Sequence, residues 1–466
     1  MRRHMFFAGV ALAVILAPSI LQAGWTRTYG GSTDEVGYCV EQTRDSGYII
    51  CGASSGPRWN LIKTNQTGDT IWTHHARQSY CVQQTADRGY IVTGEALIED
   101  GKYHIYLEKL DSSGNSIWYR DDLNGVGYSI QQTYDGGYIL TGHKSEWISD
   151  GIQDLCLIKL DSLGDTVWTK TYGGEGPDWG TCVRQTQDEG YIVVGYTMSA
   201  LPWSFWVLKT DENGDTLWSS GRSSGKAYSV TETSDGGYIV TGYVAPLYDG
   251  KYHLMVLKID SDGDTLWTRM EPGWSLDTLG GVGRSIQETT DGNYILTGYT
   301  SKWLDEINDL FLIKMNPSGD TLWTHIYGGE DEDMGNCVDQ TSDEGYIVVG
   351  ATKSFEAIGY DIWLLKTDAN GDTLSVGEEP PVTHVTHPSN WRLRASVGQQ
   401  IVLQYSNCPQ GFHAQVFDAI GQKVDEVHSS GSSGTVTWPA THQSPGVYFI
   451  RLQSTKAITR RVILLH

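Results

Sequence analysis

The sequence predicts an all-β chain: a seven-bladed β-propeller closed by its amino-terminal strand, then a small carboxyl-terminal β-sandwich. Three observations lead there. Glycine numbers 55 in 466 residues, about 12 % against a usual ~7 %, and 17 Trp and 26 Tyr accompany it, as turn-linked strands require. A Tyr-Ile phrase recurs at Tyr48, Tyr90, Tyr138, Tyr191, Tyr238, Tyr294 and Tyr346, at spacings of 42 to 56 residues. Each copy holds four strand-like runs, and four strands per roughly 50-residue repeat is the pattern of a propeller blade.

Residues 1–23 come first, with Arg2 and Arg3, an apolar run from Met5 to Leu16 and small residues up to Ala23. That layout is a secretory signal peptide, and the run is too short to span a bilayer. Nothing later has the length of a membrane helix, so the mature chain is expected to carry no integral membrane segment.

The propeller is expected over 24–375. In the third copy YSIQQT (128–133) leads through a short turn to YILTG (138–142), and DLCLIKLD (154–161) leads through SLGD to TVWTKTY (166–172). Asp-Gly clusters supply the positive-φ positions of these turns. The fourth-strand Trp recurs at Trp72, Trp118, Trp168, Trp218, Trp267 and Trp323, whereas the seventh copy has Ser375 there. The missing strand stands at the other end, as GWTRTYGG with Trp25. It is expected to complete the last blade and remove an unpaired edge. Copies one, four and seven share features, as do two and five, and three and six, so the ring has unequal sides.

Repeated residues read as scaffold. Lys63, Lys109, Lys159, Lys209, Lys258, Lys314 and Lys366 hold one strand position in every copy and are expected to pair with nearby acids. The seven Trp are expected to pack blade on blade. Cys39, Cys81, Cys182 and Cys337 alternate with Ser129, Ser229 and Ser285 in one slot, which reads as a small buried residue; a Cys39–Cys51 bridge across a hairpin is the alternative. No cofactor is expected: the turns around Asp260, Asp262 and Asp264 invite calcium but lack the Glu of an EF-type loop.

Loops after the second and fourth strands are longer and variable, and alternation puts them on one rim, where specificity belongs. Candidate ligand-binding residues there are Trp147, Trp179, Trp203, Trp303, Asp178, Asp331 and Asp333, with Asp34, Glu35 and Glu332 beside them. Aromatics next to acids suit stacking on sugars or capture of cations; a plain solvated acidic rim fits the same residues. No catalytic signature appears, neither His-Glu-x-x-His, Gly-x-Ser-x-Gly nor a phosphate loop. His74-His75 is an unrepeated metal possibility. The net charge of −23 (33 basic, 56 acidic residues) excludes a general affinity for nucleic acid.

Residues 376–390 contain prolines and read as a linker, and 391–466 as a separate β domain. Its hairpin Val416 to Val424, then Gly446-Val447-Tyr448-Phe449-Ile450-Arg451-Leu452, then Arg460-Arg461-Val462-Ile463-Leu464, resemble the type A carboxyl-terminal sorting domain of bacterial type IX secretion substrates. The resemblance covers about 75 residues, and the array before it is similar to secreted bacterial β-propeller repeat proteins. It implies a sorting signal carried by Gly446, Tyr448, Phe449, Arg451, Leu452, Arg460 and Arg461, with the type IX secretion machinery as partner. It further implies passage through the periplasm to the outer-membrane surface or the medium. The expected function is a secreted or cell-surface binding or scaffold module for a glycan or surface protein. An extracellular polysaccharide-active enzyme, a glycoside hydrolase or lyase with its site on the same rim, is the alternative.

Overall fold

The computed structural model describes residues 24–56, 60–99, 101–145, 153–199, 204–245, 252–269, 280–300, 307–355, 357–373 and most of 391–464. No helix occurs among them. In the first copy the strands Glu35–Gln42, Tyr48–Ser54, Leu61–Thr64 and Thr70–His74 form one antiparallel sheet in chain order. The same arrangement recurs along the array, and the first strand begins where the second ends: Glu35 faces Ser54 and Gln42 faces Tyr48. Copies four and five share the 17-residue strand Thr216–Glu232, so their sheets run on as seven strands.

The last copy has three strands of its own, Asp333–Gln340, Tyr346–Thr352 and Asp361–Thr367; its fourth is Trp25–Tyr29. Trp25 pairs with Lys366 and Tyr29 with Ile362, antiparallel, as the truncation at one end and the spare strand at the other predict.

Apolar clusters join each copy to the next, and the series ends where it began. Ile49, Cys51 and Leu61 pack against Val82, Tyr90 and Val92 of the following copy. Val40, Ile50 and Ile62 pack against Ile347, Val349 and Leu364 of the last. The opening strands also touch their neighbours in sequence, Glu35–Gln42 meeting Asp333–Gln340, so they surround a common axis.

Each repeated residue has a use between copies. The Trp of one copy lies on the Tyr of the next with ring centroids 5.6–6.4 Å apart, from Trp25 on Tyr48 to Trp323 on Tyr346. Its indole also covers a turn glycine of that next copy. Gly68 has φ of +80°, and a Cβ there would stand 2.7 Å from Trp25, so both conformation and space demand glycine. Caps run the same way round. The N–H groups of Arg44, Ala86, Tyr134, Gln187, Ser234 and Thr290 donate to Gln84, Gln132, Gln185, Glu232, Glu288 and Gln340 at 2.7–2.9 Å. That of Ser342 donates at 2.7 Å to Gln42 of the first copy.

The seven lysines are buried and pair with Asp45, Asp87, Asp135, Asp188, Asp235, Asp291 and Asp343 at 2.6–3.0 Å. The Cys/Ser slot bonds forward as well: Cys39, Cys81, Cys182 and Cys337 donate to the carbonyls of Val82, Ile130, Val230 and Val40 at 3.5–3.8 Å. The six described cysteines are free thiols; Cys39 and Cys51 stand opposite each other across their hairpin.

Beyond the repeat, Trp391–Ala395, Ile401–Tyr405 and Gly434–Trp438 make a three-stranded sheet. A five-stranded sheet contains Val397–Gly398, Thr459–Leu464, Gly446–Leu452, Phe412–Asp418 and Lys423–Ser429. Ile401, Leu403 and Trp438 of the first share a core with Ala414, Val416, Val427, Tyr448 and Ile450 of the second.

Candidate functional site

The first strand of every copy has a register shift at the same place, leaving one residue out of the ladder: Tyr38, Tyr80, Tyr128, Thr181, Tyr228, Arg284 or Asn336. A bulge re-aims its extra side chain. Because these strands surround one axis, the bulged residues converge at one end of it. Tyr38 and Tyr80 lie 5.1 Å apart between ring centroids, and Tyr80 and Tyr128 5.2 Å. Asn336 donates to the carbonyl of Gly37 at 2.8 Å, and Thr181 to that of Ala227 at 2.8 Å.

A second tier comes from the second strands, one residue past a glycine: Glu95, His143, Tyr196, Tyr243 and Tyr299. Trp179 stacks on its cross-strand partner Tyr196 at 4.6 Å and 29°. His143 bridges Tyr128 and Trp179 at 5.7 and 6.3 Å, and Tyr243 lies 4.6 Å from Tyr252. Two cations complete the mouth: Lys226 is 4.0 Å from the Tyr196 ring centre, and Arg284 is 4.3 Å from that of Tyr228 and 5.5 Å from that of Tyr299. Since first strands start and second strands end here, the mouth opens on the rim that carries the variable loops.

Burial dominates its electrostatics. It raises the phenols of Tyr38, Tyr196, Tyr228 and Tyr243, against the opposing charge of Arg284, so all stay protonated at neutral pH. Burial, then the charge of Arg284, pushes Lys226 down to about 8. Burial also brings His143 down to about 4, leaving it neutral, and raises Glu95 against its hydrogen bond with Tyr80. The result is a tyrosine-rich cup with its positive charge on one side.

Of the rim residues expected from sequence, Trp179 is in this mouth. Trp147, Trp203 and Trp303 lie outside the described residues. The acids are engaged elsewhere. Asp178 is fully buried and accepts from the N–H of Gly174 at 3.0 Å and from Ser199 at 2.9 Å. Asp333 repeats this with Gly329 at 2.7 Å and Ser354 at 2.9 Å, and also accepts from Thr352. Glu35 does so with Gly31 at 3.1 Å. These carboxylates therefore hold the Tyr-Gly-Gly turns of copies one, four and seven. Asp331 is exposed, its N–H donating to Ser354 at 3.2 Å; Glu332 pairs with Lys353 at 2.6 Å, and Asp34 accepts from the N–H of Tyr360 at 2.9 Å.

Burial, with the charge of Asp309 adding to it, pushes Asp333 up to about 6 against three hydrogen bonds. A folded pKa above the unfolded 3.8 means that Asp333 favours the native state fully below pH 3.8 and ceases to do so above about 6. Asp333→Asn is therefore expected to raise stability at pH 7.5 by on the order of 2 kcal/mol and to leave it little changed at pH 4. Urea unfolding at both pH values measures this, and an equal effect at the two would refute it.

Both oxygens of the buried Glu108 lie 3.1 Å from His74 Nε2, and one also accepts from the Tyr106 hydroxyl, a bridge between copies one and two. Asp260 accepts the N–H groups of Asp262 and Asp264 at 3.1 and 2.8 Å, so one oxygen of the calcium-like turn serves the turn itself. In the last part of the chain Gly446, Tyr448, Phe449, Arg451 and Leu452 share one strand. Arg460 and Arg461 sit on the next, opposite Ile450 and Phe449. Tyr448 donates to the carbonyl of Ser444 at 2.6 Å and lies 5.2 Å from Trp438.

No protein-family model and no curated protein matches the chain. Among solved structures it is similar to virginiamycin B lyase from Staphylococcus aureus, at 9 % identity and TM-score 0.41, over 74 % of this chain and 99 % of that one. It is also similar to Sqt1 from Chaetomium thermophilum, at 11 % identity and TM-score 0.44, over 81 % and 97 %. A third is the β-propeller domain of the Trilobed protease from Pyrococcus furiosus, at 10 % identity and TM-score 0.41, over 78 % and 100 %. The repeated four-stranded sheets and their return from last copy to first, rather than these likenesses, make the repeat a β-propeller.

Proposed function

We propose that the chain is a secreted or cell-surface binding module: a seven-bladed propeller closed by its amino-terminal strand, followed by a β-sandwich sorting domain. The ligand seats in the axial mouth. The observation that carries this reading is the convergence there of Tyr38, Tyr80, Tyr128, Trp179, Tyr196 and Tyr228, drawn from five copies. Aromatic faces held by strands on a rigid scaffold offer binding surface at small ordering cost.

A glycan array probed with the purified chain, with hydrolysis products monitored, tests the reading. Binding that falls at least tenfold in Tyr80→Ala and Tyr128→Ala is expected. Binding unaffected by either change would place the ligand elsewhere, and turnover of a glycan would transfer the mouth to the polysaccharide-active reading. The sorting role has a separate test: deletion of 391–466 is expected to hold the protein in the periplasm, and unchanged export would refute it.

A further inference from the structure

Arg284 occupies the bulge slot that holds tyrosine in four other copies. In a chain of net charge −23, cations find carboxylates readily, and each of the seven repeated lysines has one. Arg284 makes no ion pair with any described residue. Its neighbours are the faces of Tyr228 and Tyr299, and its Nε is buried with no acceptor. The guanidinium hydrogen-bonds Tyr299, but a neutral phenol does not balance a charge withdrawn from water, and the missing group is an anion able to take its remaining donor edge. A second cation, Lys226, stands close enough to feel the Arg284 charge and is itself partly desolvated. Two like charges in one partly dry cup repel each other.

The rest of the wall specifies what carries that anion. Tyrosine faces and phenol hydroxyls dominate it, and such rings offer flat apolar contact with a hydrogen-bonding tip. A pyranose presents the matching pair, a C–H face and a rim of hydroxyls. We infer that the mouth takes a carboxylated sugar, a hexuronate or ulosonate unit of an acidic glycan, with Arg284 gripping its carboxylate and the tyrosines receiving the ring. This rests on the mouth being the binding site. A neutral sugar would leave Arg284 unanswered, whereas a polynucleotide would meet the repulsion of the whole chain.

Titration calorimetry of the full chain tests it with oligogalacturonate and sialyllactose, against the methyl-esterified oligogalacturonate and lactose. The acidic member of at least one pair is expected to bind ten times more tightly than its neutral counterpart, which identifies hexuronate or ulosonate. Arg284→Gln is expected to abolish that preference, with Arg284→Lys retaining part of it. Equal binding of acidic and neutral members would overturn the anionic assignment while leaving the mouth as a binding site. No binding in either arm, together with no binder on the array, would overturn both. The ester comparison needs no variant, so a folding defect in Arg284→Gln leaves the result decisive.

Discussion

Deleting residues 24–29 is expected to lower the unfolding midpoint of the chain sharply and to make it self-associate. The five-residue strand Trp25–Tyr29 covers the outer edge of Asp361–Thr367, and without it that edge is open to strand addition from another chain. The loss extends to the first copy, because Trp25 lies on Tyr48 and Gly68, and Tyr29 donates to the Gly68 carbonyl at 2.5 Å. Trp25→Ala removes the indole but keeps the strand, and is expected to cost about 3 kcal/mol. Urea unfolding with light scattering distinguishes the two variants. A deletion no worse than Trp25→Ala would show that the backbone pairing adds nothing to the side chain.

Loss of one repeated lysine is the next largest effect. Lys258 is buried, and its Nζ reaches Asp235 at 2.9 Å and Thr233 at 3.0 Å. Lys258→Ala is expected to cost about 3 kcal/mol at pH 7, the low end for a broken buried pair because Asp235 stays in contact with water. The cost depends on pH. Burial raises the Asp235 pKa, but bonds from Thr233, Lys258 and Gly237 outweigh it and bring the carboxyl down to about 2. A folded pKa below the unfolded value contributes stability that is full above 3.8 and disappears as pH falls through about 2. The gap between wild type and Lys258→Ala should therefore narrow between pH 4 and pH 2. A gap that stays constant over that range would assign the whole effect to packing. Asp87 and Asp135, also at about 2, are held by the same three kinds of bond, so the chain as a whole should lose stability steeply in that window.

The lysine, tryptophan and closing-strand contacts were legible because each recurs in every copy, and recurrence separates scaffold from site. The mouth was not, for a related reason. Its slot is repeated, but its occupants are Tyr, Thr, Arg or Asn, so it reads as noise between a small residue and the Cys/Ser position. Only the register shift shows that this residue leaves the ladder and faces the axis. The signal was nonetheless present: a variable position flanked on both sides by near-constant ones, with a single Arg among tyrosines. The acids misled in the opposite way. In Gly328-Gly329-Glu330-Asp331-Glu332-Asp333 four acids look equally solvated, yet the last begins a strand and folds beneath the turn, whereas Asp331 remains outside. Chain direction, which a composition-based reading ignores, decides between them.

The shared strand Thr216–Glu232 gives copies four and five a joint unlike the others. Its backbone hydrogen bonds continue without a loop from Ser204–Thr210 on one side to Tyr238–Val244 on the other. Neither sheet can then fray at that boundary without breaking the other, so the pair should behave as one cooperative opening unit in amide exchange. Lys226 and Tyr228 ride on this strand, so amide exchange on their side of the mouth should be governed by the opening of that joint unit. Tyr38 and Tyr80, by contrast, lie in two separate sheets, whose copies are tied by side chains and not by one continuous backbone ladder.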